Sequence, residues 1–211
     1  LAEGGNAAGA HLAGVLPHRA AGGVARGGAG LNAGAMLSQS LGGYLLWDVE
    51  PGADSLHEKA VAALKGAGFV VAATPYASDE LKSVAQVLLP IGTFAETSGT
   101  YVNLEGQWQS FNGAALPVGE SRPGWKVLRV LGNLLGLAGF EQNSSEEVRD
   151  ALRAQVERNA APISAAAVAP PAAGGEARVA GVQVYQGDAI VRRAVSLQRT
   201  REARVPRVVY G

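Results

Sequence analysis

Apolar and polar positions alternate with two different periods in the first half of the chain, and these periods predict strands and helices in turn. Three short apolar runs predict buried strands at residues 44–49, 69–73 and 86–89. After the first run, a Ser55-x-x-Glu58 capping box predicts a helix that continues to Lys65. After the second run, Ser78 predicts the cap of a shorter helix. Strands that alternate with helices in this way indicate a parallel sheet with right-handed crossovers.

The second half of the pattern predicts a hairpin followed by two helices. Alternating residues at 101–104 and 107–111 flank Glu105-Gly106, which is typical of a β-hairpin. Apolar residues at helical spacing then predict a helix that begins at Arg122-Pro123. The face of this helix that we expect to be buried carries Val127, Leu128, Leu131, Leu134 and Leu135. A second capping box, Ser144-x-x-Glu147, predicts a surface helix that ends near residue 158.

Stretches rich in glycine, alanine and proline lie before and after the part of the chain in which strands and helices alternate. Residues 1–43 hold 12 of the 29 glycines, which predicts irregular loop with at most a short helix near residues 35–41. Beyond the helices, an Ala/Pro-rich stretch predicts a linker, a short strand follows near 179–185, and 188–193 predicts a short helix. The chain therefore divides into a loop region, an α/β domain, a linker and a C-terminal β segment or arm, at residues 1–43, 44–158, 159–175 and 176–211.

The fold class that these elements predict is α/β. We expect a Rossmann-like, doubly wound, partly parallel sheet with a β-hairpin and a small C-terminal β appendage.

Composition excludes several classes of function. The chain has no cysteine, so it has no disulfide, thiolate zinc site or cysteine-ligated iron-sulfur cluster of its own. The formal net charge is zero, which gives no general attraction to nucleic acid, and no apolar run reaches the roughly 20 residues of a membrane span. The segment after residue 175 is locally basic, which is typical of a solvated arm or a subunit contact. Because the sequence begins at Leu1 rather than Met, we expect a piece of a longer protein.

One stretch carries a family resemblance. Residues 87–117 read VLLPIGTFAETSGTYVNLEGQWQSFNGAALP, with a strand, a proline, a glutamate-containing loop and then Gly-Thr-aromatic-x-Asn. This order resembles the molybdopterin oxidoreductase superfamily. Together with the following VGESRPGWKVLRVLGNLLGL, it resembles the 75 kDa type of large iron-sulfur subunit in respiratory NADH-quinone oxidoreductase, complex I. The loop NAAGAHLAGVLP and the C-terminal DAIVRRAVSLQ are similar to segments of the same proteins.

The resemblance implies a scaffold and subunit-docking domain without a redox centre. In that family the iron-sulfur clusters belong to an N-terminal part of the parent protein, which transfers electrons from NADH towards quinone in a proton-pumping bacterial complex. The implied partners are other peripheral-arm subunits at the cytoplasmic face of the inner membrane, with no nucleic acid and no direct membrane insertion. Molybdenum enzymes carry a β-barrel where this chain ends, so a reduced β appendage is expected. Neither a catalytic residue, a metal nor a bound cofactor is expected in this chain.

The ends of the predicted strands hold the candidate site residues, because ligands of parallel sheets bind at the carboxyl ends of the strands. Candidates for a vestigial cofactor pocket are Glu50, Gly52, Asp54, Glu96, Gly99 and Asn103. Helix N-termini bind phosphate, but Glu50 and Asp54 place negative charge there, so a structural turn is favoured. Glu96 with Glu105 is conceivable as an acid/base pair, although the turns of the hairpin explain both residues. His11 and His18 are expected to be inert loop residues.

Two alternatives remain. In the first, the chain is part of a true molybdopterin-dependent enzyme, similar to formate dehydrogenase or nitrate reductase, and the loops at 50–54 and 91–96 bind the pterin dinucleotide. In the second, it is an independent α/β interaction module.

Overall fold

The structure, a computed structural model, describes residues 5–55, 59–159, 180–183, 185–204 and 206–209. The strands are β1 Gly43–Trp47, β2 Phe69–Thr74, β3 Val87–Pro90, β4 Gly99–Val102, β5 Trp108–Phe111, β6 Ala180–Gln183 and β7 Pro206–Val209. The helices are α1 Ala7–Ala13, α2 Ala33–Leu37, α3 Pro51–Asp54, α4 Ala60–Lys65, α5 Asp79–Val84, α6 Gly124–Leu134, α7 Ser145–Asn159 and α8 Val195–Gln198. Short 3-10 turns lie at Ala21–Gly23, Phe94–Glu96, Val191–Arg193 and Glu202–Arg204.

The centre of the fold is a parallel sheet in the order β1-β2-β3. Each strand lies close to its predicted position, with helices in both crossovers, so the predicted α/β fold is confirmed. The Ser78 hydroxyl caps α5 by accepting a hydrogen bond from the Leu81 amide at 3.2 Å, also as predicted.

One face of this sheet carries the core. Leu46 of β1 and Val70 of β2 pack with Leu64 of α4 and with Leu81 and Val84 of α5, and all five are buried. Full burial of one such leucine stabilises the fold by about 2 kcal/mol.

The opposite face of the sheet is largely open. Alternation along the strands places Leu45, Phe69 and Val87 on this face, as the parallel register confirms. Leu45 and Phe69 each keep 48% of their surface exposed. Parallel sheets are normally covered on both faces. Among the described residues, this sheet is therefore covered fully on one face only.

The helix predicted from Ser55 has a different start. The strand-end turn after β1 folds into the separate short helix α3, whose Ala53 and Asp54 amides donate to the Glu50 carbonyl at 2.9 and 2.8 Å. Helix α4 begins only at Ala60 and has no side-chain cap at Lys59. Residues 56–58, which include half of the predicted capping box, lie outside the described residues.

The predicted hairpin is present as β4 and β5, joined at residues 103–107. Asn103 Oδ1 accepts the amides of Glu105 and Gln107 at 3.0 and 2.9 Å, and Gly106 takes the left-handed conformation that the turn requires, with φ of 79°. The rings of Tyr101 and Phe111 pack edge to face, with centroids 5.1 Å apart.

Helix α1 was not predicted, because its Ala/Gly-rich sequence has little to bury. A tertiary contact holds it: Asn6, just before α1, accepts the Val102 amide of β4 through Oδ1 at 2.8 Å. The expectation of irregular loop in residues 1–43, with at most a short helix near residues 35–41, is therefore wrong at α1.

The prediction of a buried face on α6 is wrong at the C-terminal end of the helix. Leu134 and Leu135 are 81% and 65% exposed. The helix ends there because Gly136 turns left-handed, with φ of 66°, and Phe140 folds back against Gly132.

Helix α7 is the surface helix that the second capping box predicts, so that prediction is confirmed. The Ser144 hydroxyl accepts the Glu147 amide at 3.1 Å, and the helix buries no residue completely.

A two-stranded antiparallel ribbon, β6 with β7, supplies the expected C-terminal β appendage. Before it, the predicted linker at 159–175 lies outside the described residues except for Asn159, the last residue of α7. Between β6 and β7, Asp188 Oδ1 accepts the Ile190 and Val191 amides at 2.9 Å each and starts the turn Val191–Arg193.

Candidate functional site at the strand ends

The carboxyl ends of the three parallel strands meet in a crevice of about 280 Å³, called here the strand-end crevice. Each strand contributes a loop, and the segment between β6 and β7 closes the remaining side. The residues that the argument uses are Asp48 and Asp54 after β1, Tyr76 after β2, Phe94 after β3, and Asp188 and Arg192 from the closing segment. The position is the one at which ligands of parallel α/β sheets bind.

The first loop is set by backbone geometry. Asp48 takes a left-handed conformation with φ of 50°, which aspartate tolerates better than most residues, and its amide donates to the Ala73 carbonyl at 2.8 Å. The chain then turns into α3 with Pro51 at its first position. This turn buries Glu50, which is only 9% exposed.

Glu50 forms the principal ion pair of the crevice with Arg193. Arg193 Nη1 donates to Glu50 Oε1 and Arg193 Nη2 to Glu50 Oε2, both at 2.8 Å, in the two-pronged geometry that gives strong pairs. The guanidinium also lies 4.0 Å from the ring centroid of Tyr76. The hydrogen bonds to Glu50 raise the pKa of Arg193 above its ordinary value.

A second pair lies beside the first. Arg192 Nη2 donates to Asp54 Oδ1, and Arg192 Nη1 lies 3.8 Å from Glu50 Oε1. The Arg192 side chain is almost completely buried by this contact. Two adjacent arginines of one turn therefore hold two acidic residues of the first strand-end loop.

The amides at the start of α3 are also occupied from within the chain. The Glu50 amide donates to Asp54 Oδ2 at 2.7 Å, and the Gly52 amide donates to Glu80 Oε1 at 2.7 Å. A helix N-terminus binds phosphate through such amides. Here carboxylates already accept their hydrogen bonds.

The crevice retains an excess of acidic groups. Asp48 and Asp188 add two carboxylates to Glu50 and Asp54, against the two guanidiniums. Partial burial, followed by repulsion from Asp54, Asp188 and Glu50, raises the pKa of the Asp48 carboxyl above its ordinary value. The local field therefore disfavours a further anion.

Three of the candidates from the sequence stabilise the hairpin region instead. Glu96 Oε2 accepts the Thr93 amide at 2.8 Å and the Thr93 hydroxyl at 2.9 Å, and these bonds lower the pKa of Glu96. Gly99 lies against Phe111, where an added Cβ would be 2.8 Å from the ring. Asn103 holds the hairpin turn. Of the remaining candidates, Asp54 lines the crevice, and Glu50 and Gly52 lie beside it in the same strand-end loop.

Sequence analysis missed Arg192 and Arg193 as parts of the site. The locally basic segment predicted a solvated arm or a subunit contact, and the solvated arm is wrong for these two residues because they pair with Glu50 and Asp54. The available signal was complementary charge: an Arg-Arg pair near the C-terminus and an acidic loop after the first strand.

Comparison with known proteins decides the family. Residues 18–134 match the family model of molybdopterin oxidoreductases, which is more than half of the chain. The chain belongs to the molybdopterin oxidoreductase family. The match includes the whole parallel sheet, the strand-end loops, the hairpin and α6.

Similar curated proteins fall into two groups. The mitochondrial NADH-ubiquinone oxidoreductase 78 kDa subunit of Candida albicans is 45% identical over 53 residues, which cover 25% of this chain and 7% of that protein. The corresponding 75 kDa subunit of Reclinomonas americana is 38% identical over 53 residues, covering 25% and 8%. The F420-dependent formate dehydrogenase 1 subunit alpha of Methanococcus maripaludis is 37% identical over 70 residues, covering 33% and 10%. The alignments thus span a tenth or less of each relative.

Among the described residues, no group of three or more His, Asp or Glu side chains is placed to hold a metal ion. No helix in the part of the chain that the structure describes has the length and apolar character needed to cross a bilayer.

Proposed function

We propose that this chain is a scaffold and subunit-docking domain of the large subunit of an NADH-quinone oxidoreductase, with no redox centre of its own. The observation that carries the proposal is the closure of the strand-end crevice by Arg192 and Arg193. If a member of this family binds a pterin dinucleotide, we expect the cofactor to lie at this crevice, because ligands of parallel α/β sheets bind at the carboxyl ends of the strands.

The residues of the crevice do not fit a pterin dinucleotide. Such a cofactor carries phosphates, and the amides at the start of α3 that could bind one already bond to Asp54 and Glu80. Both arginines that could bind a phosphate are paired with carboxylates, and Arg192 Nη1 is the one buried guanidinium nitrogen of the crevice that lacks a hydrogen-bond partner among the described residues. The remaining volume of about 280 Å³ is below the range of roughly 300–1,000 Å³ that is typical of pockets for drug-sized ligands. These features support a domain that has lost the cofactor and kept the fold.

The similarity to the 75 and 78 kDa subunits supports the choice of parent complex. From it we propose that the partners are other subunits of the peripheral arm, at the cytoplasmic face of the inner membrane. The second candidate, a part of a formate dehydrogenase, is favoured by the similarity to the formate dehydrogenase alpha subunit of Methanococcus maripaludis. In that case the crevice would have to open and release both arginines.

Purification of the tagged native gene product from its own cells separates the two candidates. Membrane complexes are resolved by native electrophoresis and stained for NADH oxidation and for formate oxidation. We expect the tagged protein to migrate with the NADH-oxidising complex and to sediment with membranes. Migration with formate-oxidising activity instead would overturn the proposal in favour of the second candidate.

A further inference from the structure

A groove of about 510 Å³, called here the α6 groove, lies between β3 and α6. Its apolar wall is formed by Leu89 of β3 and by Val130, Leu131 and Leu134 of α6. Leu134 is largely exposed, although it continues the apolar stripe of the helix. Val130 and Leu134 are exposed, and Leu89 and Leu131 are only half-buried, so the described residues leave this wall partly uncovered.

The groove continues onto the open face of the sheet. Leu89 lies two residues after Val87 on β3, so both side chains are on the face that also carries Leu45 and Phe69. The N-terminal end of α6 packs against this face at Trp47. A Cβ atom added to Gly124 would lie 2.7 Å from the Trp47 ring. The exposed C-terminal half of α6 and the open sheet face therefore form one apolar surface.

The rim of the groove is basic. Arg122, Lys126 and Arg129 line it, and no acidic residue does. In the part of the chain that the structure describes, none of these three cations lies within ion-pair distance of a carboxylate. This contrasts with Arg192 and Arg193, which both pair with carboxylates of the first strand-end loop.

We propose that the α6 groove binds an amphipathic helix from another subunit, whose apolar stripe is flanked by aspartate and glutamate side chains. The inference names the partner chemistry for the docking role proposed above and rests on that role. Helices are the elements that normally cover the faces of parallel sheets. An amphipathic helix also presents apolar side chains at positions i, i+3, i+4 and i+7, which is the spacing that binds an apolar groove. Acidic flanks would neutralise the rim, which sets the orientation and selects the partner.

A second copy of this chain does not suit the groove. Two copies related by a two-fold axis would bring the same basic rim against itself. Like charges placed together in an interface disfavour it strongly. Complementary charge must therefore come from a different surface.

The test uses a photo-crosslinking amino acid at Leu134 in the native gene product, in its own cells. Leu134 is exposed enough to accept the replacement without disturbing the core. The captured peptide is sequenced by mass spectrometry after native purification. Leu116, which is also strongly exposed but lies in the loop after the hairpin, is the matched control position. We expect Leu134, and not Leu116, to capture a peptide of another subunit with apolar residues at helical spacing and acidic residues beside them.

Charge reversal supplies the second readout. The double variant Arg122→Glu, Lys126→Glu is expected to lower the crosslink yield at Leu134 by about tenfold, since attraction at the rim becomes repulsion. The control, Lys59→Glu with Lys65→Glu, makes the same charge change at the two ends of α4 and should leave the yield unchanged. A captured peptide that lacks acidic residues, one from a second copy or another segment of this polypeptide, or a yield insensitive to rim charge would overturn the inference. So would the absence of any crosslink at Leu134 in the intact complex.

The two proposals fail separately. If the tagged protein migrates with NADH-oxidising activity but Leu134 captures no acidic helix, the docking chemistry is wrong and the parent complex stands. If Leu134 captures an acidic helix within a formate-oxidising complex, the groove is assigned correctly and the parent complex is wrong.

Discussion

The strand-end crevice and the α6 groove belong to the same sheet and are built in opposite ways. In the crevice, both arginines find carboxylate partners within the chain, most clearly in the two-pronged pair of Glu50 with Arg193. In the groove, Leu134 remains exposed and Arg122 and Lys126 have no carboxylate partner among the described residues. A crevice whose arginines are already paired and whose remaining charge is acidic has little capacity left for an anionic ligand, whereas an exposed apolar surface favours a partner. The place where parallel α/β sheets bind ligands thus differs from the place where we propose a binding surface on this chain.

The largest expected effect tests the contrast between the two faces of the sheet. Leu81→Ala should lower the free energy of unfolding by about 3 kcal/mol, because Leu81 is completely buried beneath the covered face. Leu134→Ala should cost less than about 0.5 kcal/mol in the isolated chain, since Leu134 is mostly exposed. Urea unfolding followed by circular dichroism measures both. Equal losses would show that the α6 groove is already covered within the chain.

The next effect tests the internal pairing of the crevice. Glu50→Ala should lower the free energy of unfolding by about 2–3 kcal/mol, because it leaves the partly buried Arg193 without its carboxylate. The exposed pair Arg153 with Glu157 on α7 provides the control, and Arg153→Ala should cost about 0.3 kcal/mol. Denaturant titrations of the two variants give the comparison. A Glu50 variant as stable as the control would mean that Arg193 does not close the crevice in solution.

A smaller effect tests the assignment of Glu96 to a structural turn. Glu96→Ala should cost about 1 kcal/mol at neutral pH through loss of the cap to Thr93, whereas Glu105→Ala in the exposed hairpin turn should cost little. Because the pKa of Glu96 is lowered in the fold, its stabilising contribution is present above the ordinary pKa of a glutamate and is lost as the pH falls through the folded value. Thermal melts between pH 3 and pH 7 should therefore converge at the acidic end. A pH-independent difference would contradict the role of the ionised carboxylate.

The smallest expected effect is a gain in stability rather than a loss. Asp48→Asn should raise the melting temperature by about 1–2 °C at pH 7, because it removes one carboxylate from a crevice with excess negative charge. The pKa of Asp48 is raised, so its ionisation opposes folding only as the pH rises above the ordinary value of an aspartate. The gain should disappear near pH 4, where the carboxyl is protonated in the folded and much of the unfolded state. A variant less stable than wild type at pH 7 would show that Asp48 is an anchor rather than a source of repulsion.

The parts of the fold that local sequence determines were predictable, and the parts held by distant contacts were not. The strands and the Ser78 cap follow from apolar runs and cap chemistry within a few residues. Helix α1 depends on Asn6 meeting Val102, which is 96 residues away. The ion pair of Arg193 with Glu50 joins residues 143 apart, so no window of sequence contains both.

The exposed end of α6 shows a different limit. Helical spacing of leucines correctly predicts the helix and an apolar face, but periodicity cannot say what the face packs against. A stripe that docks onto another subunit and a stripe in the core of its own domain have the same pattern. Only the exposure of Leu134 and Leu135 separates the two cases.

The most direct test of the central claim is the molybdenum and pterin content of the purified protein, made in a host that synthesises the pterin dinucleotide. Molybdenum is measured by mass spectrometry of the metal, and pterin by fluorescence after oxidation, with a formate dehydrogenase from the same host as the positive control. Closure of the strand-end crevice by Arg192 and Arg193 predicts neither above background. About one molybdenum and a matching amount of pterin per chain would contradict the account and make the crevice a working cofactor site.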